Sequence, residues 1–159
     1  MSLHDRIQSD IAVAMRAGDG LRRDVLRMVV SAAYMIEKKQ GRPLTDDEYL
    51  AVLSREVKTR RESVEAFRAG GREELAAKEE AEIAIIGEYL PAALTDDEVA
   101  ALIRDGIAAT GATSARDMGK VMGWLSPRIR GRADGKRVSE LVVQALAAAD
   151  LTAHDDGTH

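Results

Sequence analysis

Cysteine is absent from the 159 residues, which excludes disulfides, thiolate nucleophiles and cysteine-zinc sites. Aromatic residues make up only 3% of the chain against a hydrophobic share of 45%, so Ala, Leu, Val and Ile must fill any core. The three histidines, His4, His154 and His159, all sit near the ends, without neighbours suited to a buried base or a metal cage. Long apolar runs are missing too: Val29-Val30 and Ile83-Ala84-Ile85-Ile86 fall far short of the roughly 18 residues a membrane span requires. The chain has no GxxxxGK followed by Ser or Thr, no GxGxxG after a strand and no GxSxG elbow, the segments that cradle phosphates or expose a nucleophile. The sequence therefore predicts no catalytic residue, no metal site, no cofactor and no membrane span. Met1-Ser2-Leu3-His4-Asp5-Arg6 carries charge where a secretory leader needs an apolar stretch, and a cytoplasmic address is the expectation.

What is present is helical. Ala and Leu keep most of their side-chain freedom in a helix, and charged residues (31%) are interspersed among apolar ones. A folded chain of this length buries roughly 70% of its unfolded surface, enough for a real core. Leu3, Ile7, Ile11 and Met15 form a first stripe, ended by Gly18 and Gly20. Leu21 to Lys39 sets Val25, Met28, Val29, Ala32 and Ile36 on one side, before Gly41 and Pro43. Thr45-Asp46-Asp47-Glu48 is a capping box that opens a helix with Leu50, Leu53, Val57, Val64 and Phe67 inward. A fourth helix from about Arg72 to Leu90 turns Leu75, Ile83, Ile86 and Leu90 inward, and Pro91 closes it.

Thr95-Asp96-Asp97-Glu98 repeats the box and opens a helix with Val99, Leu102, Ile103 and Ile107, up to Gly111. Ser114-Ala115-Arg116-Asp117 reads as a third cap, before Met118, Val121, Met122 and Leu125. After Arg130 to Gly135, the last helix carries Val138, Leu141, Val142, Ala145 and Leu146. No segment alternates with a period of two. The prediction is an all-α protein: a four-helix part over 1–91, a three-helix part over 92–149, and a frayed polar tail over 150–159.

Two charged stretches read as ordinary solvated helix faces. One is Glu73 to Glu82, with a supporting Glu74–Lys78 pair and no Glu-x-x-His set for a dimetal site. The other comprises Arg55, Lys58, Arg60, Arg61 and Arg68, interleaved with Glu56, Glu62 and Glu65. The stretch from Arg116 to Arg137 differs. Arg116, Lys120, Arg128, Arg130, Arg132, Lys136 and Arg137 face only Asp117 and Asp134, a surplus of five positive charges in a chain of net charge −4. Cations without acidic partners repel one another unless an anion visits, and arginine forks onto phosphate oxygens. Gly119 and Gly123 lie four apart on one helix face there. Each glycine costs a helix about 1 kcal/mol relative to Ala, which points to a close approach by another helix or by an RNA backbone. Trp124 reads as core or rim rather than a base-stacking platform.

The motifs as a set resemble the YqeY family. The resemblance rests on Glu56-Val57-Lys58 with Arg60-Arg61 and Ser63, then Gly71-Arg72, Leu75, Glu79, Glu82-Ile83 and Tyr89-Leu90-Pro91. It continues through Asp117-Met118-Gly119-Lys120-Val121-Met122-Gly123 and Gly131-Arg132-Ala133-Asp134-Gly135-Lys136 with Val138-Ser139. It implies a helical N-terminal part followed by a small three-helix part similar to the tail of GatB. GatB is a subunit of the glutamine-dependent aminoacyl-tRNA amidotransferase, a carbon–nitrogen ligase, and that tail helps contact tRNA. The resemblance thus implies an accessory protein that binds tRNA or other structured RNA, beside an amidotransferase or tRNA-synthetase component. The catalytic region of GatB and the glutamine-splitting Ser-Ser-Lys apparatus have no counterpart here. The candidate RNA-binding residues are Gly119, Lys120, Gly123, Arg128, Arg130, Arg132, Lys136 and Arg137. The alternative expectation is a helical protein–protein interaction module with no RNA role.

Overall fold

A computed structural model describes the backbone of residues 1–155 and the side chains of residues 1–151. Among these residues there are seven α-helices and no strand. They are α1 (Leu3–Ala17), α2 (Gly20–Gln40), α3 (Asp46–Ala69), α4 (Glu73–Gly87), α5 (Asp96–Thr110), α6 (Met118–Ile129) and α7 (Gly135–Asp155); a single 3-10 turn, Ala115–Asp117, precedes α6. The chain divides into two compact units, Met1–Pro91 and Ala92–His159. No described helix is long and apolar enough to cross a membrane.

Local chemistry sets the helix ends. Both Thr-Asp-Asp-Glu segments are capping boxes: Thr45 Oγ1 accepts the Glu48 N–H at 3.2 Å and Glu48 Oε1 accepts the Thr45 N–H at 3.1 Å, with the same exchange between Thr95 and Glu98. Ser2 and Asp5 form a further box at α1. Ser114 departs from expectation, since its side chain caps nothing. Asp117 Oδ2 instead accepts the Thr113 N–H at 2.9 Å, folding this short segment into the 3-10 turn. Gly41 closes α2 at φ 76°, a left-handed conformation an L side chain resists. Helix α7 takes in residues 150–155 of the polar tail; residues 156–159, His159 among them, and the side chain of His154 lie outside the described residues.

In the first unit, α1 packs along α2, α3 along α4, and α2 against both α3 and α4. Its core joins Ile7, Ile11, Leu26, Val29, Tyr49, Leu53, Val57 and Ile86, among others. Two stripes are rotated from their expected positions. Met15 is 54% exposed while Ala14 is buried, and on α2 Leu26 and Ala33 are buried where Met28 (53%) and Ile36 (39%) face solvent. Adjacent helical positions differ by only 100°, and α1, α3 and α4 together cover the arc of α2 centred on Leu26 and Val29.

Arg60 and Glu82 are not solvated. They are 4% and 8% exposed and meet at 3.0 Å, with Glu56 Oε2 a further 2.6 Å from the guanidinium. Burial disfavours the charge of Arg60, yet the hydrogen bonds to Glu56 and Glu82 outweigh it and raise its pKa above the ordinary arginine value. Glu74 stands 3.5 Å from Arg72 at the start of α4. His4 Nδ1 lies 3.2 Å from the hydroxyl of buried Tyr49, whose pKa burial and the charge of Glu37 push up to about 12.

In the second unit, α5, α6 and α7 pack on one another around Val99, Ile103, Val121, Leu125, Ile129, Val138, Val142 and Leu146.

Candidate nucleic-acid interface

Helix α6 owes its orientation to Val121, Leu125 and Ile129, which are buried against α5 and α7. The 3.6-residue period then turns Gly119, Lys120, Gly123 and Pro127 outward, and all four are exposed. A Cβ placed on Gly119 or Gly123 would meet nothing within 4 Å. The expectation that a neighbouring helix packs tightly on these glycines is therefore overturned. The crowded glycine is Gly106 on α5, where a Cβ would stand 2.9 Å from Cε3 of Trp124. Sequence reasoning missed it, because the crowding depends on a helix that crosses eighteen residues later.

Trp124 is a rim residue, half-buried over Gly106. The Arg128 guanidinium lies 3.7 Å from the ring centroid, and Nη1 donates to the Trp124 carbonyl at 2.6 Å. The stacked pair fixes the Arg128 fork at the surface. Lys120 lies on the same helix, eight residues and about 12 Å earlier along the axis. Its ammonium is 3.9 Å from Asp117, and its side chain is 71% exposed. The Thr113 N–H holds the carboxyl of Asp117 below its ordinary value.

The loop after α6 turns at Gly131, φ 73°. Arg130 is exposed, and its N–H donates to Ser126 O at 3.1 Å. Arg132 is half-buried and braces the loop: its Nε donates to Ala92 O at 3.2 Å, and its own carbonyl accepts the Leu94 N–H at 2.8 Å. Asp134 Oδ1 accepts the Lys136 N–H at 3.1 Å, which begins α7. Lys136 and Arg137 occupy its first turn, exposed and with no acidic residue in that turn. Cations at a helix N-terminus oppose the macrodipole, so this placement adds to the local positive potential.

All eight candidate residues thus lie in the second unit, from Gly119 to Arg137. Seven present their side chain or an open glycine face to solvent, and Arg132 is tied into the scaffold. In the first unit there is a groove of about 530 Å³ bounded by His4, Gln8, Ser31, Tyr34, Met35 and Glu37, among others. Among the described residues, no three His, Cys, Asp or Glu side chains are grouped as a metal site would require.

The chain is similar to the fungal protein "Altered inheritance of mitochondria protein 41, mitochondrial" of Pyrenophora tritici-repentis, 28% identical over 147 residues that cover 90% of this chain and 80% of that protein. The family model described as "Yqey-like protein" matches residues 4–146, which takes in both units and every candidate residue. With a match of that extent, the chain belongs to the YqeY family.

Proposed function

We propose that the second unit binds tRNA or another structured RNA through the open face of α6 and the cations that follow it. The chain then serves as an accessory to aminoacyl-tRNA amidation, supplying binding and not chemistry. The observation that carries this reading is the empty space over Gly119 and Gly123. Among the described residues no packing partner explains glycine there, whereas a nucleic-acid backbone lying against α6 would use the clearance. Lys120, Arg128, Arg130, Lys136 and Arg137 supply cations around it, and structured RNA is read largely through shape, phosphates and 2′-hydroxyls. The link to amidation rests on the likeness of the segments 117–123 and 131–136 to the GatB tail.

Fluorescence anisotropy with tRNA over a salt series tests the proposal. Affinity should fall steeply with salt, because each neutralised phosphate releases counterions. Joint replacement of Lys120, Lys136 and Arg137 by Glu should weaken binding more than tenfold and reduce the salt slope by about two. Arg132 stays intact because its contact with Ala92 supports the fold. Binding by the triple variant as tight as wild type at physiological salt would refute the RNA reading. A protein-interaction role would then lead, favoured by the groove beside Tyr34 and Met35 and by the exposure of Met28, Tyr34 and Met35 on α2.

A further inference from the structure

Three successive carbonyl oxygens of α6 have different fates. Met122 O accepts the Ser126 hydroxyl at 2.8 Å, and Trp124 O accepts Arg128 Nη1 at 2.6 Å. Gly123 O lies between them, and the residue four positions on, whose N–H would serve it in the helix ladder, is Pro127. Proline has no N–H, so the ladder leaves this oxygen without its donor. Gly123 and Pro127 are both exposed, and a Cβ on Gly123 would meet nothing within 4 Å. The carbonyl that lacks its ladder donor thereby sits on an exposed stretch of α6, with Lys120 three residues before it on the same side and Arg128 five residues after it.

We infer that Gly123 O accepts a hydrogen bond from a ribose 2′-hydroxyl and so makes this surface select RNA over nucleic acids without that donor. The inference rests on the RNA-binding reading above and adds the group that is recognised. The chemistry is specific in sign: the oxygen can only accept, phosphate oxygens can only accept, and the 2′-hydroxyl is the donor on an RNA backbone. The glycine admits the sugar, and Lys120 on the same side of α6 holds an adjacent phosphate.

The probes are a tRNA-derived RNA hairpin and the same hairpin uniformly substituted with 2′-fluorine, which removes the donor while favouring the same A-form shape. Wild type should prefer the ribose hairpin about five- to tenfold, the worth of one hydrogen bond. Pro127→Ala returns an N–H to Gly123 O without changing charge. It should cut the preference to about twofold or less by weakening the ribose probe alone. Pro127→Ser supplies the same N–H with a different side chain and should behave alike. Circular dichroism should find α6 intact in both, since a proline is being removed from a helix interior. Equal binding of the two probes by wild type, or an undiminished preference in both variants, overturns the inference while leaving RNA binding standing. Failure of wild type to bind either hairpin or intact tRNA removes the RNA reading and this inference with it.

Discussion

Arg60 on α3 and Glu82 on α4 close a 3.0 Å ion pair inside the core of the first unit, with Glu56 as second carboxylate and Met28 sulfur 3.7 Å from Nη2. Desolvation opposes such a pair, and loss of one partner leaves the other charged and buried. Arg60→Met should therefore destabilise the protein by about 3–5 kcal/mol. Joining Glu82→Leu to Arg60→Met should restore much of it, since apolar side chains of similar volume often replace a buried pair without loss. Urea unfolding of the two single variants and the double variant reads the coupling. Additive losses in the double variant would mean that the pair is not acting as a unit.

Gly106→Ala addresses the second unit. The new methyl would stand 2.9 Å from Trp124 Cε3 and 3.6 Å from Leu125 Cγ. The indole is rigid and already carries the Arg128 guanidinium, so it must shift. Overpacking of this kind costs about 1–3 kcal/mol, more than the roughly 1 kcal/mol that alanine gains over glycine in a helix. The lone tryptophan reports it: the emission of Trp124 should change in the native state, and the unfolding midpoint followed at that wavelength should fall. An unchanged spectrum with a raised midpoint would mean that the ring yields freely.

The Arg60–Glu82 pair was legible, though only from completed stripes. Leu53, Val57, Val64 and Phe67 leave one inward position open, and Arg60 fills it; Leu75 and Ile86 bracket Glu82 in the same way. Charge suggested solvent, whereas position on the stripe decided burial. The capping boxes at Thr45 and Thr95 were readable because their atoms lie within four residues. Ser114 was not, because the Asp117 N–H that its hydroxyl would accept goes instead to the Ser114 carbonyl at 3.0 Å, closing the 3-10 turn. In the candidate site, the cationic surplus and the glycine pair stood in the sequence. The union of Arg132 with Ala92 spans forty residues, and the openness over Gly119 is a property of packing; neither has a local signature.

Acid should weaken the fold through its caps. The Arg42 guanidinium at 2.7 Å and the Thr45 N–H hold the carboxyl of Glu48 down at about 2, below its ordinary 4.5. The Thr95 N–H lowers Glu98 likewise. For a carboxylate with a depressed folded pKa, the stabilisation is complete above the unfolded value and disappears as protons bind. For Glu48 the window runs from about pH 4.5 down to about 2. Glu48→Gln should lower Tm at pH 7, and the gap from wild type should close towards pH 2. Thermal melts by circular dichroism at pH 7, 4 and 2.5 check this. A gap that stays constant down to pH 2.5 would assign the loss to the side chain's shape instead of its charge.

Gly119→Ala and Gly123→Ala should separate stability from binding. Each site is exposed, and a Cβ would meet nothing within 4 Å. The fold therefore gains helix propensity, up to about 1 kcal/mol at Gly123 in the helix interior and less at Gly119 in the first turn. If an RNA backbone approaches this face, the same methyl groups stand in its way. The double variant should then melt higher than wild type and bind tRNA several-fold more weakly, with the salt slope unchanged because no cation has been lost. This opposition of signs is what a glycine retained for clearance produces. Charge-reversal variants at Lys120, Lys136 and Arg137 act on the other term, flattening the salt slope while leaving the clearance alone. If the double alanine variant is more stable and also binds tRNA at wild-type strength, the open face is not where RNA lies, and the cations of the loop and of α7 would have to hold it without α6.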